Sequence, residues 1–147
     1  MSRSRWDTER IRSGVALIER AASARRPGPF QVEAAIAAVH DEAPCWEATD
    51  WPQLLGLYSL LETMDPSPIV KLNRSLVVAE MSGAAEGLRR LDRLADVLDR
   101  YYLFHAARAE LLRRVGRDGE ARDADARALA RTQNPAERAL IERRMRS

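Results

Sequence analysis

The feature that most constrains this chain is its punctuation. Proline and glycine recur at intervals of helical length, and between them apolar residues return every three or four positions. Gly83 and Gly116 are the clearest pair, about 33 residues apart, each set between two such segments. No stretch of the chain reads as a strand candidate.

Read in order, the punctuation predicts eight helices. The first covers residues 7–25, with Ile11, Val15, Ala16, Ile18 and Ala22 along one side, and Pro27-Gly28 ends it. The second starts at Pro29, where a first-turn proline is tolerated, and carries Val32, Ala35, Ile36 and Val39. Residues 42–49 hold Pro44 and no period, and read as a loop. Asp50-Trp51-Pro52 is a strong helix start, because the Asp50 carboxylate can accept amide bonds and Pro52 falls in the first turn. Leu54, Leu55, Leu57, Tyr58 and Leu61 follow, up to Asp65. Pro66-Ser67-Pro68 breaks the chain and restarts it, with Ser67 as cap, and the fourth helix stops at Gly83. The fifth is expected over 84–98, the sixth over 100–115, the seventh over 118–131, and the eighth from Pro135 to Met145.

A spacing near 34 residues is the period of tetratricopeptide (TPR) repeats, in which each repeat is a helical hairpin with small residues at the contact. Ala109, Gly116, Ala121 and Ala128 fall at the matching offsets, with Pro135 after them; in the preceding hairpin Gly83 and Gly87 match, one residue short. The expected architecture is all-α: a TPR-like α-solenoid of about eight antiparallel helices forming a single domain over residues 1–147. Composition agrees. Ala (24) and Leu (17) far outnumber Val (8) and Ile (5), so good helix formers dominate over β-branched residues.

Several functional classes fall away on the same grounds. No apolar run approaches the roughly 20 residues of a membrane span, and the charged N-terminus leads into no signal-peptide core. With one cysteine, Cys45, the chain has no internal disulfide framework, and it reads as cytoplasmic. The 24 basic residues are nearly matched by 22 acidic ones. Arg90 lies four positions from Glu86, and Arg114 four from Glu110. Such pairs mark solvated helix faces rather than the unopposed basic surface that nucleic acid requires.

Nothing in the chain resembles catalytic machinery. His40 and His105 are the only histidines, and no HExxH, CxxC, phosphate-loop or nucleophile-elbow pattern occurs. His40 with Cys45 would make a thiol–imidazole pair, but a lone cysteine and a lone histidine are most often structural. We expect no enzyme activity, no metal and no cofactor. Two features bear on binding. Trp51 and Tyr58 lie seven residues apart on one face, where they suit a core between helices. Asn73 and Arg74 interrupt an otherwise apolar helix, where Asn is a poor former, so they bond either a neighbouring loop or a bound segment.

Four stretches together resemble a known family: RSRWDTERIRSGVALIERA at 3–21, GPFQVEAAIAAVHDEAP at 28–44, DWPQLLGLYSLLETMDPSPIVKLNRSLVVAEMSGAAEGLRRLD at 50–92, and HAARAELLRRVGRDGEARDADARALARTQNPAERALIERR at 105–144. They are similar to the C-terminal extension of a group of extracytoplasmic-function-type bacterial RNA polymerase sigma factors, in which a TPR-like domain follows the promoter-reading regions. The resemblance implies a built-in regulator that contacts its own sigma-factor regions or the RNA polymerase core. It implies promoter DNA binding only through sigma regions that are not recognisable here, with Met1 an introduced start, and it implies no membrane partner. Carried over by position, the conspicuous family residues are Asp50, Trp51, Leu57 and Tyr58, then Pro68, Asn73 and Arg74; they would form a docking surface, or else simply hold the fold. A free-standing TPR-like adaptor for another protein's peptide is the alternative, and it requires Met1 to be the natural start.

Overall fold

The computed structural model describes residues 28–146. Among them are seven α-helices and no strand: α1 (Pro29–Glu42), α2 (Trp51–Met64), α3 (Pro68–Ser82), α4 (Ala84–Asp92), α5 (Tyr102–Arg114), α6 (Asp118–Ala130) and α7 (Pro135–Met145). The chain is therefore all-α over this span. The helix expected over 7–25 lies outside the described residues. The chain divides into two compact units, Met1–Arg74 and Ser75–Ser147, and α3 supplies residues to both.

In the first unit, local chemistry starts each helix. Gly28 precedes Pro29, and its amide donates to Gln31 Oε1 at 3.2 Å. The expected loop at 42–49 contains one tight 3₁₀ turn, Trp46–Ala48. Asp50 caps α2, its Oδ1 accepting the Gln53 amide at 3.1 Å, and Ser67 Oγ accepts the Ile69 amide at the same distance ahead of α3. Helix α1 buries Val32, Ala35, Ile36 and Val39 and packs against α2, which buries Leu54, Leu57 and Leu61. These are the stripes that the three- and four-residue spacing predicts.

The second unit opens with residues 75–82 of α3, which turn at Gly83 into α4. Gly83 has φ of +101°, a region that favours glycine. Beyond the turn Gly87 lies against Ala79: a Cβ at position 87 would clash with Ala79 Cβ and meet the Ser75 carbonyl oxygen at 3.1 Å. The next glycine turn is at Gly116, with φ of +82°. Here the Arg117 amide reaches back to the Leu112 carbonyl at 2.9 Å and the Gly116 amide to that of Arg113 at 3.0 Å, the paired closure of a Schellman motif. Ala109 of α5 and Ala121, Ala124 and Ala128 of α6 are all at most 1% exposed along this hairpin. Asn134 starts α7, its Oδ1 accepting the amides of Ala136 and Glu137.

The fifth predicted helix requires correction. It ends at Asp92 rather than near Leu98, and residues 93–100 wind on as tight turns. The Leu94 amide bonds the Leu91 carbonyl at 2.8 Å, and the Leu98 amide that of Leu94 at 2.9 Å. Leucines three and four apart reach one side in such turns as they do in a helix, so Leu94 and Leu98 are still buried. Asp92, Asp96 and Asp99 would put three acids at a helix C-terminus, where the dipole disfavours them.

Contacts between the odd-numbered helices of this unit recur at a fixed interval. Arg114 Nη1 donates to Glu80 Oε1 at 2.6 Å, 34 residues back in the chain. Arg144 lies 4.0 Å from Glu110 at the same interval, and its Nη2 donates to the Ala106 carbonyl at 3.1 Å. The Tyr102 hydroxyl at the start of α5 stands under the influence of the Glu137 carboxylate at the start of α7. These two helices therefore run side by side in the same direction.

Candidate functional site

All seven residues singled out from the sequence fall in the first unit, and the structure gives them different roles. Asp50 and Pro68 are helix starts: the Asp50 carboxylate is engaged by both the backbone amide and the side-chain amide of Gln53, and Pro68 is the first residue of α3. Leu57 is core, 2% exposed. Arg74 reaches α2, where its Nε donates to Ser59 Oγ at 3.1 Å and lies 3.8 Å from Glu62. The Ser59 hydroxyl in turn donates to the Leu55 carbonyl at 2.7 Å, so Arg74 closes a small polar tie between α2 and α3. Trp51, Tyr58 and Asn73 are each half-buried, and burial holds the Tyr58 hydroxyl above its ordinary pKa. These three part-exposed side chains offer aromatic surface and an amide on two helices joined by that tie.

His40 and Cys45 are both exposed. No group of three or more His, Cys, Asp or Glu suited to a metal ion occurs among the described residues, and no described helix is long and apolar enough to cross a membrane.

Two polar clusters in the second unit are not apparent from the residue pattern alone. Asp125 of α6 is 0% exposed, and two guanidinium groups bracket it: Arg113 of α5 bonds its Oδ2, and Arg144 of α7 bonds its Oδ1 at 2.5 Å. One nitrogen of each arginine, Arg113 Nη1 and Arg144 Nε, is buried without a hydrogen-bond partner. In the sequence Arg113 and Arg144 sit in the double-arginine pairs Arg113-Arg114 and Arg143-Arg144, a composition that suits a solvated helix face. The available signal was Asp125 itself, which shares a helix face with Ala121, Ala124 and Ala128.

The other cluster surrounds His105 of α5, 3% exposed. Its Nε2 meets the Asp99 carbonyl oxygen at 2.6 Å, and its ring stands edge-on to Phe104 with centroids 5.1 Å apart. Arg131 Nε donates to the same carbonyl, and its Nη1 to that of Arg127 at 2.8 Å. Burial lowers the His105 pKa, as do the charges of Arg131 and Arg127, against the opposing pull of Asp99. A neutral imidazole donating from Nε2 follows, and it anchors the turns at 93–100. At the start of the same helix, burial and the Glu137 carboxylate push the Tyr102 hydroxyl up to about 12.

No family model and no solved structure matches the chain. It is 41% identical over 136 residues to an uncharacterized protein of Rhizobium meliloti, and the match covers 92% of this chain and 32% of that protein. The chain thus spans about a third of the length of the relative it matches.

Proposed function

We propose that this chain is a TPR-like regulatory and protein-interaction domain, the C-terminal extension of a bacterial RNA polymerase sigma factor. One observation carries the repeat reading. Arg114 on Glu80, and Arg144 beside Glu110, tie helices at a 34-residue interval, which is the step between first helices in TPR stacks. In such stacks the helical pairs have no catalytic centre and work through the surfaces they present. The sigma-factor reading is supported by the sequence stretches that resemble that extension. It is compatible with a relative about three times as long as the chain, which leaves room for other regions.

In this reading Trp51, Tyr58 and Asn73 contact a segment of the sigma regions or of core polymerase. Asp50, Pro68 and Arg74 fix the backbone beneath them, and Leu57 packs behind. The domain works in the cytoplasm and modulates transcription initiation without touching promoter DNA itself.

Run-off transcription tests the proposal with three samples: the full-length sigma factor, the factor cut before Trp6, and the cut factor with this chain added in trans. A transcript lost on cutting and restored by the added chain makes the domain a docking activator. A transcript raised on cutting and lowered by the added chain makes it a fused inhibitor. An unchanged transcript in all three rejects the sigma reading in favour of a free-standing adaptor.

A further inference from the structure

We infer that α7 is a strap latched mainly by charge, which opens from α5 and α6 as a unit while those two helices stay folded. The inference goes beyond the function proposed above and stands whichever partner the chain binds. Its basis is the uneven way in which α7 is attached. Ile141 is the one residue of α7 that is buried, whereas α5 buries Phe104, Leu111 and Leu112 to 2% exposure or less. Little apolar area therefore opposes undocking, and elements with few buried apolar contacts are the ones that open below the global unfolding limit.

Polar contacts take the place of that area, and they fall at two ends. Near the start of α7, Arg138 Nη1 donates to the Leu129 and Thr132 carbonyls at 2.7 and 3.2 Å, and Thr132 Oγ1 donates to Glu137 at 2.9 Å. These bonds tie the start of α7 to the last turn of α6 and to the connector at Thr132, and they hold a hinge capped by Asn134 and stiffened by Pro135. Toward the far end, Arg144 bonds Asp125 Oδ1 at 2.5 Å and the Ala106 carbonyl at 3.1 Å, with Glu110 at 4.0 Å. It is the latch.

When the latch opens, Asp125 does not become a lone buried charge, because Arg113 still bonds its other oxygen. That second arginine is what allows α5 and α6 to remain folded in the open state. Removing one partner of an isolated buried ion pair would instead destabilise everything around it. Opening exposes the Asp125 carboxylate on the surface that α7 had covered, so access to this group is governed by a single guanidinium.

Hydrogen exchange on the full chain tests the strap in the wild type, Arg144→Met and Arg144→Lys. In the wild type we expect amides of residues 138–145 to exchange at least about tenfold faster than those of 104–112. Arg144→Met is expected to speed the first group by roughly another tenfold and to change the second by less than about twofold. Arg144→Lys falls between the two, since an ammonium keeps the charge but not the fork that spans Asp125 and the Ala106 carbonyl. Equal rates for the two groups in the wild type would overturn the strap, as would an equal acceleration of both in Arg144→Met. If Arg144→Met does not fold, the wild-type rates and Arg144→Lys decide the matter.

Discussion

The two units hold their helices together by different means. In the first, α1 and α2 meet through branched aliphatic side chains: Val32, Ile36 and Val39 on one helix, and Leu54, Leu57 and Leu61 on the other. The polar tie there, Arg74 on Ser59, is half-exposed and supplementary. In the second, α5 and α6 meet along alanines, α3 and α4 close on a glycine, and a buried carboxylate sits between two arginines. Aliphatic packing tolerates adjustment, because neighbouring side chains can relax into a changed volume. Backbone-close packing with a buried charge does not, and substitutions of one kind should therefore have different outcomes in the two units.

The largest contrast is expected at Asp125. Asp125→Ala leaves Arg113 and Arg144 facing each other without their carboxylate, and we expect a loss of about 3–5 kcal/mol, the range for breaking a buried ion pair. Urea unfolding followed by far-UV circular dichroism measures it. Arg74→Ala in the first unit removes a part-exposed tie and should cost only about 0.5–1.5 kcal/mol by the same measurement. Equal losses for the two would erase the distinction.

Helical glycines sharpen the same comparison. Gly87→Ala pushes a methyl group into Ala79 Cβ and toward the Ser75 carbonyl, so α3 and α4 must separate; a cost of about 1–3 kcal/mol is expected. Gly56 lies inside α2 with nothing within 4 Å of its would-be Cβ. There Gly56→Ala gains helix propensity with no clash, and should stabilise by about 0.5–1 kcal/mol. The opposite signs, read as shifts of the thermal midpoint, are the discriminating result.

What the sequence reveals of this fold follows from the range of the signals involved. The starts of α2, α3 and α7 were legible because Asp50, Ser67 and Asn134 act on amides two or three residues away. The end of α4 was not, since Leu91, Leu94 and Leu98 suit turns as well as a helix. The turns between helices are legible through Gly83 and Gly116, both of which take positive φ. Asp125 was hidden because both of its partners come from other helices, and the stretch around it, DGEARDADARALA, has the composition of a solvated surface. Of the candidate surface, Leu57, the two helix starts and the Arg74 tie are explained by the fold, and Trp51, Tyr58 and Asn73 are half-buried.

The smallest expected effect concerns His105, and it separates the units by pH. Burial is the main reason that its pKa lies below the ordinary 6.5, with Arg131 and Arg127 adding to the shift and Asp99 opposing it. The unfolded chain therefore takes up the proton at a higher pH than the folded one. The stabilisation is fully present above about pH 6.5 and declines as the pH falls toward the lowered folded value, below which it is gone. His105→Gln keeps a side-chain N–H that can reach the Asp99 carbonyl but cannot titrate in this range. The difference in unfolding free energy between wild type and variant should therefore shrink, or change sign, as the pH is lowered from 7.5 to 5. A difference that stays constant across that range would show that folding does not shift the imidazole's pKa, and one that grows as the pH falls would show instead an imidazolium paired with Asp99, whose carboxylate lies 3.7 Å away.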